Sequence, residues 1–273
     1  QGASWVLKML APFADPSVGA VVSSRRLAAV PTGAERFFDA VAPQDFPNPT
    51  GLDREIGFVR DKCDAYRMSM LDDTGGFDVE AFRVAGEDTD LSLRMRKMGF
   101  RILQSGSAEV RIGFSSHQRS LRSVFRKALQ YGGAQAVLYR RHGYDGLRAR
   151  AFAAGLLGLA GVALSFAVPQ AAWLLVLPAL YLEITTPVAL PLLGELPLGL
   201  WAAPLGAFLQ SSLGWEASLA WGAAASAASA CLALRLAFKA ACRAGTPSGG
   251  LVAFAWWNLT GVGYLRGLLS IRR

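Results

Sequence analysis

The first half of the chain alternates between apolar runs typical of strands and apolar spacings typical of helices. Residues 18–23 are a short β-branched run, which predicts a buried strand. The stretch 31–57 holds four prolines and predicts mostly loop with one helix. We expect strands at residues 18–23, 62–67, 100–104 and 108–114, and helices at residues 4–10, 35–41, 67–73 and 88–98. This alternation favours an α/β layer for the first half.

The second half begins with a long apolar block that carries almost no charge. Between residues 151 and 230 there is no Lys or Arg, and the acids are Glu183, Glu195 and Glu216. An apolar stretch of this length predicts transmembrane helices of ~20 residues each. We expect about four of them within residues 151–243, at 151–168, 171–191, 197–214 and 217–236. The expected fold class is therefore α/β followed by an all-α transmembrane helical region.

The last stretch, residues 244–273, is apolar but interrupted by polar side chains. Asn258 and Arg266 break the apolar run, and basic residues lie at both of its ends. We expect an interfacial or re-entrant segment with Trp256 and Trp257 at the depth of the lipid headgroups, and a fifth span is the alternative.

The net charge of +8 is concentrated beside the apolar block. Residues 119–150 and 235–243 carry much of the excess, whereas acids and bases are interspersed in the first half. This distribution favours attraction to anionic lipid over nucleic-acid binding. Residues 119–150 predict a basic amphipathic helix at the membrane interface, with an ordinary surface helix as the alternative. We expect an integral protein of a bacterial-type inner or plasma membrane, with the soluble part on its cytoplasmic side.

The helix expected before the strand at 100–104 has a body that predicts a structural role. Leu91, Met95 and Met98 share one apolar face at i, i+4 and i+7. Asp90 and Arg94 form an i,i+4 pair of opposite charge on another face. Both features are typical of a helix that packs on a core and exposes its other side.

The head of the same helix is acidic and leaves two interpretations open. Glu87 and Asp88 lie at the positive end of the helix dipole, which favours ionised carboxylates. Capping and dipole complementation would explain the pair without any chemistry. A carboxylate held ionised in this place could also act as a general base.

Motifs around this acid pair occur in a specific order. They are KCDAYR at 62–67, GGFD at 75–78, GEDTDLSLR at 86–94 and GFRI at 99–102. This order resembles family 2 glycosyltransferases of the GT-A fold, which share an Arg-containing strand end, a GGFD turn and an E-D-x-D-L-x-x-R segment. The resemblance is close over residues 62–104 and loose over residues 1–145.

The resemblance implies an inverting transfer of a single sugar from a nucleotide sugar to a lipid- or membrane-held glycan acceptor. Asp88 is similar to the general base that takes the proton of the acceptor hydroxyl, and Glu87 is the second candidate or a residue that orients the acceptor. Gly76, Phe77 and Asp78 of the GGFD turn would contact the acceptor. The implied partners are a nucleotide-sugar donor, this acceptor and membrane lipid, with no nucleic acid.

The resemblance also implies a divalent metal, Mg or Mn, that neutralises charge on the leaving nucleoside diphosphate. His117 is similar to a His that completes the metal shell in some GT-A enzymes, and a polar surface residue is the alternative. The family's D-x-D motif is absent from its usual place. Residues 88–90 have the same letters, but they lie in a different place. Residues 1–118 are therefore expected to be the C-terminal part of a GT-A domain without its nucleotide-binding half. By itself such a chain is expected to be inactive.

A further departure from the family narrows the expected reaction, and two other functions stay open. The Q-x-x-R-W motif of processive synthases is absent from the sequence, which favours transfer of a single sugar. The alternative function is a non-catalytic membrane scaffold or binding module with a degenerate glycosyltransferase domain. A transporter subunit would need several intramembrane charges, and within the expected second span only Glu183 offers one.

Overall fold

A computed structural model describes residues 3–59, 62–143, 153, 156, 157, 160 and 237–270 of the chain. The chain divides into two compact units. The first comprises Gln1–Ser120 together with Arg140–Gly143, which form the end of a long helix and the residue after it. The second comprises, among the described residues, Leu121–Tyr139 and the positions from 153 onward.

The first unit is a mixed α/β structure, as expected for this half of the chain. Its strands are β1 (Val18–Leu27), β2 (Arg54–Glu55), β3 (Asp64–Tyr66) and β4 (Arg101–Ile112). Its helices are α1 (Ala3–Leu10), α2 (Gly33–Val41), α3 (Met68–Thr74) and α4 (Glu87–Lys97), with short 3-10 turns at Ala11–Ala14 and Ser116–Gln118. The long helix α5 (Leu121–His142) follows.

The four described strands form one sheet in the order β2–β4–β1–β3. The central strands β1 and β4 run parallel, with Val21 opposite Leu103. Strands β2 and β3 pair antiparallel at the two edges. The first eight residues of β1 are all buried, because a central strand is covered on both faces. The run is free of polar side chains only as far as Val22, and Ser23, Ser24 and Arg25 are buried polar residues.

Side chains of β1 alternate between two apolar clusters, one on each face of the sheet. Ala20 and Val22 pack with Met70 of α3 and with Leu91 and Met95 of α4. Val18 and Val21 instead pack on the other face, with Met9 of α1, Leu103 and Ala108. The first unit therefore has three layers, and α4 is fixed to the sheet by the apolar face that the sequence predicted.

Met98 is the exception to that face. Leu91 and Met95 are fully buried, but Met98 is 50% exposed. The helix ends at Lys97, so Met98 is the C-cap residue, and its backbone angles are no longer helical. The expected apolar face is one residue shorter than predicted.

Strand β4 is continuous where two separate strands were expected. Residues 105–107, which separated the two expected strands, lie within β4 at an irregularity opposite β1 between Val22 and Ser24. The Ser105 hydroxyl accepts the Ala108 N–H at 3.1 Å, and the Ser24 hydroxyl donates to the Ser105 carbonyl at 2.9 Å. A Cβ at Gly106 would collide with the backbone of Gly51, so only glycine fits this approach. Hydrogen bonds of the Ser105 and Ser24 side chains thus support β4 where its pairing with β1 is irregular.

The described part of the second unit is dominated by two long helices, α5 and α6 (Pro247–Leu269). A Cβ on Gly132 of α5 would collide with the backbone of Thr260, and one on Gly263 of α6 would collide with that of Leu129. The helices therefore approach backbone to backbone where both lack side chains. The buried positions of α5 include Val124 and Ala128.

Trp256 of α6 is buried against α5. Its side chain is only 2% exposed, and its ring meets that of Tyr131 edge-on at 5.7 Å between centroids. The tryptophan is therefore packed inside the α5–α6 pair.

None of the helices within the described residues is long and apolar enough to cross a membrane. This finding contradicts the expected all-α transmembrane region, the fold class that included it and the location as an integral membrane protein. Among the described helices, α6 has its apolar surface interrupted by glycines, Asn258 and Arg266, and its small residues pack on α5. The four expected spans lie outside the described residues apart from positions 153, 156, 157 and 160.

Candidate functional site

The loop of residues 75–82 joins α3 to the segment that leads into α4. It starts with Gly75 and Gly76, whose φ angles of +75° and +66° lie in the left-handed region. Glycine is required there because a Cβ would strain both residues. The Gly76 N–H donates to the Leu71 carbonyl at 2.8 Å, so the chain reverses directly at the end of α3.

Glu87 and Asp88 are the first two residues of α4, and both are partly buried. Gly86 precedes them with φ +96°, and its carbonyl accepts the Asp90 N–H at 2.8 Å. One carboxylate oxygen of Asp88 accepts the Thr89 N–H at 2.6 Å and the Thr89 hydroxyl at 3.2 Å. The positive end of the helix dipole favours negative charge in this place. Local sequence alone is enough to form this acidic head.

Asp90 lies one half-turn further along α4, and its side chain is fully buried. Its Oδ2 accepts from Arg94, at 2.9 Å from Nε and 2.7 Å from Nη2. Its Oδ1 is 2.7 Å from Nε2 of His142 and 3.7 Å from Nη1 of Arg141. A buried carboxylate is costly unless it is paired and hydrogen-bonded, and here both oxygens are engaged.

Arg94 connects Asp90 to the start of the loop. Its guanidinium donates to the carbonyl oxygen of Thr74 and, at 2.7 Å, to that of Gly76. These are carbonyls at the end of α3, which have no partner within a helix of their own. The i,i+4 pair that the sequence predicted is therefore one half of a longer connection.

Arg141 holds the other end of the loop. Its Nη1 donates to Oδ2 of Asp78 at 2.7 Å, and its guanidinium lies over the ring of Phe82 at 5.5 Å. The Ala81 N–H donates to Oδ1 of Asp78 at 2.9 Å. This backbone hydrogen bond, followed by the bond from Arg141, holds the pKa of Asp78 below its ordinary value.

His142 completes the network around Asp90. Its side chain is 7% exposed, with Nε2 on Asp90 and Nδ1 at 3.2 Å from Nζ of Lys97. A neutral imidazole fits both contacts, because Nε2–H donates to the carboxylate and Nδ1 accepts from the ammonium. His142 therefore spans the fully buried carboxylate and the last turn of α4.

The structure places the residues expected to contact the acceptor on one loop, but in different surroundings. Gly76 is bound through its carbonyl, and Asp78 is engaged by Arg141 and the Ala81 N–H. The ring of Phe77 meets that of Tyr66 edge-on, with 5.5 Å between centroids and 84° between planes. Both ends of the loop are thus tied to α4 or to the end of α5.

His117 lies in the 3-10 turn Ser116–Gln118 that follows β4. Within the part of the chain that the structure describes, no group of three or more His, Cys, Asp or Glu residues is arranged to hold a metal ion. Mg²⁺ prefers carboxylate oxygens and waters as ligands. Glu87 and Asp88 are the carboxylates that belong to the expected chemistry. The donor set for a divalent metal is therefore not assembled among these residues.

Sequence reasoning missed the role of Arg141 and His142. The segment Arg140–Arg141–His142 was interpreted as the basic flank of a membrane block. His142 is 52 residues from Asp90 along the chain, so no local spacing could pair them. The one signal in the sequence for a further partner was Asp90 itself. Its i,i+4 pairing with Arg94 accounted for one carboxylate oxygen and left the other without an assigned partner in the sequence analysis.

Comparisons of the chain with protein-family models, with curated proteins and with solved structures give no match.

Proposed function

We propose that the 75–82 loop and the head of α4 form the acceptor side of an inverting glycosyltransferase site. One observation carries this proposal: a partly buried carboxylate, Asp88, lies at the positive end of α4 and close in sequence to a glycine loop whose backbone α4 itself binds through Arg94. The order of the GGFD and E-D-x-D-L-x-x-R motifs supports the same function.

Asp88 is the general base of the proposed reaction. It takes the proton of an acceptor hydroxyl while that oxygen forms a bond to the anomeric carbon of the donor sugar. The bond from the anomeric carbon to the phosphate oxygen breaks, and its electron pair leaves with the nucleoside diphosphate. Because the leaving group departs as an anion, one carboxylate suffices, in contrast to the two of most glycoside hydrolases. Glu87, the preceding residue, orients the acceptor in this proposal.

The test is Asp88→Asn in the natural full-length protein, assayed with a panel of nucleotide sugars for transfer to hydroxyl acceptors. We expect kcat to fall by about 10²–10⁴-fold with nucleotide-sugar binding retained, because the amide keeps the shape but cannot take a proton. Glu87→Gln is the matched neighbour, and we expect it to raise the acceptor KM more than it lowers kcat. Unchanged transfer in Asp88→Asn, or loss of donor binding with it, would remove Asp88 from the role of base.

A non-catalytic binding module is the second candidate. It is favoured by Asp78, whose two carboxylate oxygens already accept bonds from Arg141 and Ala81 and so have less capacity for an acceptor. This candidate predicts saturable glycan binding without nucleoside diphosphate release in the same assay. Glycan binding that persists in Asp88→Asn without any turnover in the unsubstituted protein would favour the module.

A further inference from the structure

A second set of residues, beyond those assigned to the reaction, converges on the same loop. Two segments distant along the chain meet at the buried carboxylate of Asp90, which are α4 through Arg94 and the end of α5 through Arg141 and His142. The two guanidiniums then reach outward to Gly76 and Asp78. One buried acid therefore orients the cations that bind both ends of the loop.

The loop is restricted both from within and from outside. Within it, the Ala81 N–H donates to the Asp78 carboxylate at 2.9 Å and the Phe82 N–H donates to the Asp78 carbonyl at 3.1 Å, but its two leading glycines tolerate a wider range of backbone angles than any other residue. From outside, Arg94 binds the carbonyls of Thr74 and Gly76, and Arg141 contacts the Asp78 carboxylate and the Phe82 ring. The cations on Asp90 therefore fix the two ends of a loop whose own bonds lie between Phe77 and Phe82.

A charged network of this kind is a costly way to provide support alone. Buried ion pairs are often no more stabilising than apolar packing of the same volume, and their best-attested advantage is that directional bonds specify one geometry. The apolar face of α4 already packs on the sheet through Leu91 and Met95. The network therefore adds orientation of the loop to a helix that is already docked.

We propose that Asp90, Arg94, Arg141 and His142 are positioning residues that hold the 75–82 loop in the conformation that binds the acceptor. This inference rests on the proposed function for the identity of the ligand. The network binds the two ends of the loop from the body of α4 and from the end of α5. Because the loop is the part assigned to the acceptor, loss of the network weakens acceptor binding and leaves donor binding unchanged.

The first experiment compares Arg141→Gln with Arg140→Gln in the natural full-length protein. Both changes remove one positive charge from exposed neighbouring positions, but Arg140 makes none of the contacts to Asp78, Phe82 or Asp90 described above. We expect Arg141→Gln to raise the acceptor KM about tenfold and to speed amide hydrogen exchange at residues 76–82, with the donor KM unchanged. We expect Arg140→Gln to change neither.

The second comparison, His142→Gln against His142→Leu, separates a directed hydrogen bond from mere packing. Glutamine can place an N–H near the position of Nε2 and so keep the bond to Asp90, whereas leucine fills the space without a donor. We expect glutamine to retain most of the acceptor affinity and leucine to lose about as much as Arg141→Gln. Equal effects of the two substitutions would overturn the positioning role of His142.

The outcomes distinguish this inference from the proposed function. If transfer occurs but Arg141→Gln leaves loop exchange and the acceptor KM unchanged, the positioning network is wrong and the function stands. If exchange accelerates while kcat and the donor KM change instead of the acceptor KM, the loop does not bind the acceptor. If the unsubstituted protein transfers no sugar, the proposed function fails and the acceptor assignment fails with it, whatever the exchange data show.

Discussion

The 75–82 loop of the first unit is held in place by one kind of interaction, and the α5–α6 helix pair of the second unit is joined by the opposite kind. The loop depends on directional bonds from Arg94 and Arg141, both set by the fully buried carboxylate of Asp90. The helix pair depends on the absence of side chains, because Gly132 and Gly263 let the two backbones touch.

The difference between the two regions concerns what each can tolerate. A directional network tolerates a substitution that keeps a donor or acceptor in place, and fails when a charge is left without its partner. A close backbone approach tolerates nothing larger than hydrogen, because even one methyl group must move a helix. Whether the first region tolerates a substitution therefore depends on the hydrogen-bonding groups and charge of the new side chain. In the second region tolerance depends only on side-chain size.

The largest effect that would test this comparison is expected from Asp90→Leu. Leucine matches the buried volume roughly but leaves Arg94, Arg141 and His142 without their shared acceptor. We expect the free energy of unfolding to fall by about 3 kcal/mol, measured by urea denaturation.

The control for this change is Glu109→Gln, which removes the half-exposed ion pair of Arg26 and Glu109. An exposed pair contributes little, so we expect a change of less than about 1 kcal/mol. A loss from Asp90→Leu no larger than that of the control would show that apolar packing, and not the buried charge, holds the loop.

An intermediate effect is expected from Gly132→Ala in α5. The added Cβ would collide with the Thr260 backbone of α6, so we expect the free energy of unfolding to fall by about 2 kcal/mol. Near-ultraviolet circular dichroism should also change, because Trp256 packs on Tyr131 in the same contact.

Gly133→Ala is the matched control one residue away. The nearest atom to its added Cβ is the Gly263 carbonyl oxygen at 3.8 Å, an ordinary contact. Alanine is the better helix former, so we expect a gain of about 0.5–1 kcal/mol. Equal destabilisation by both substitutions would contradict the close approach at Gly132.

The smallest effect is expected from acid, through the bond between Asp78 and Arg141. The pKa of folded Asp78 lies below its ordinary value, first because of the Ala81 N–H and then because of Arg141. Its stabilising contribution is therefore complete above the unfolded pKa of about 3.9 and is lost as the pH falls through the folded pKa. We expect Asp78→Asn to flatten the dependence of unfolding free energy on pH below about pH 5. A slope in that range that stays as steep as in the unsubstituted protein would exclude this contribution.

Local features of the first unit were predictable because backbone geometry alone produces them. Leu91 and Met95 recur at helical spacing and are buried together, and residues 18–23 lie within β1 as a covered central strand. Gly75 ends α3 because only glycine adopts its left-handed angles without strain. The acidic head of α4 follows from the same local rules.

The contacts of the second half were less predictable from composition. Hydropathy predicted spans within residues 151–243 but gave no information on which helices pack together. Trp256 packs on Tyr131, and α6 is interrupted by the small and polar residues that let it meet α5. The expected transmembrane region is contradicted, because no helix within the described residues is long and apolar enough to cross a membrane.

By itself the sequence determined the buried strand at residues 18–23, the apolar face of α4, where α3 ends and where the acid pair lies, because these depend on neighbours a few residues apart. Only the tertiary structure decided that Arg141 and His142 meet Asp90 and that β4 runs on through Gly106 beside Gly51. Those contacts join positions separated by about fifty residues, and no local periodicity records them. A buried carboxylate accepts whichever donors the fold brings within about 3 Å, so its partners follow from topology.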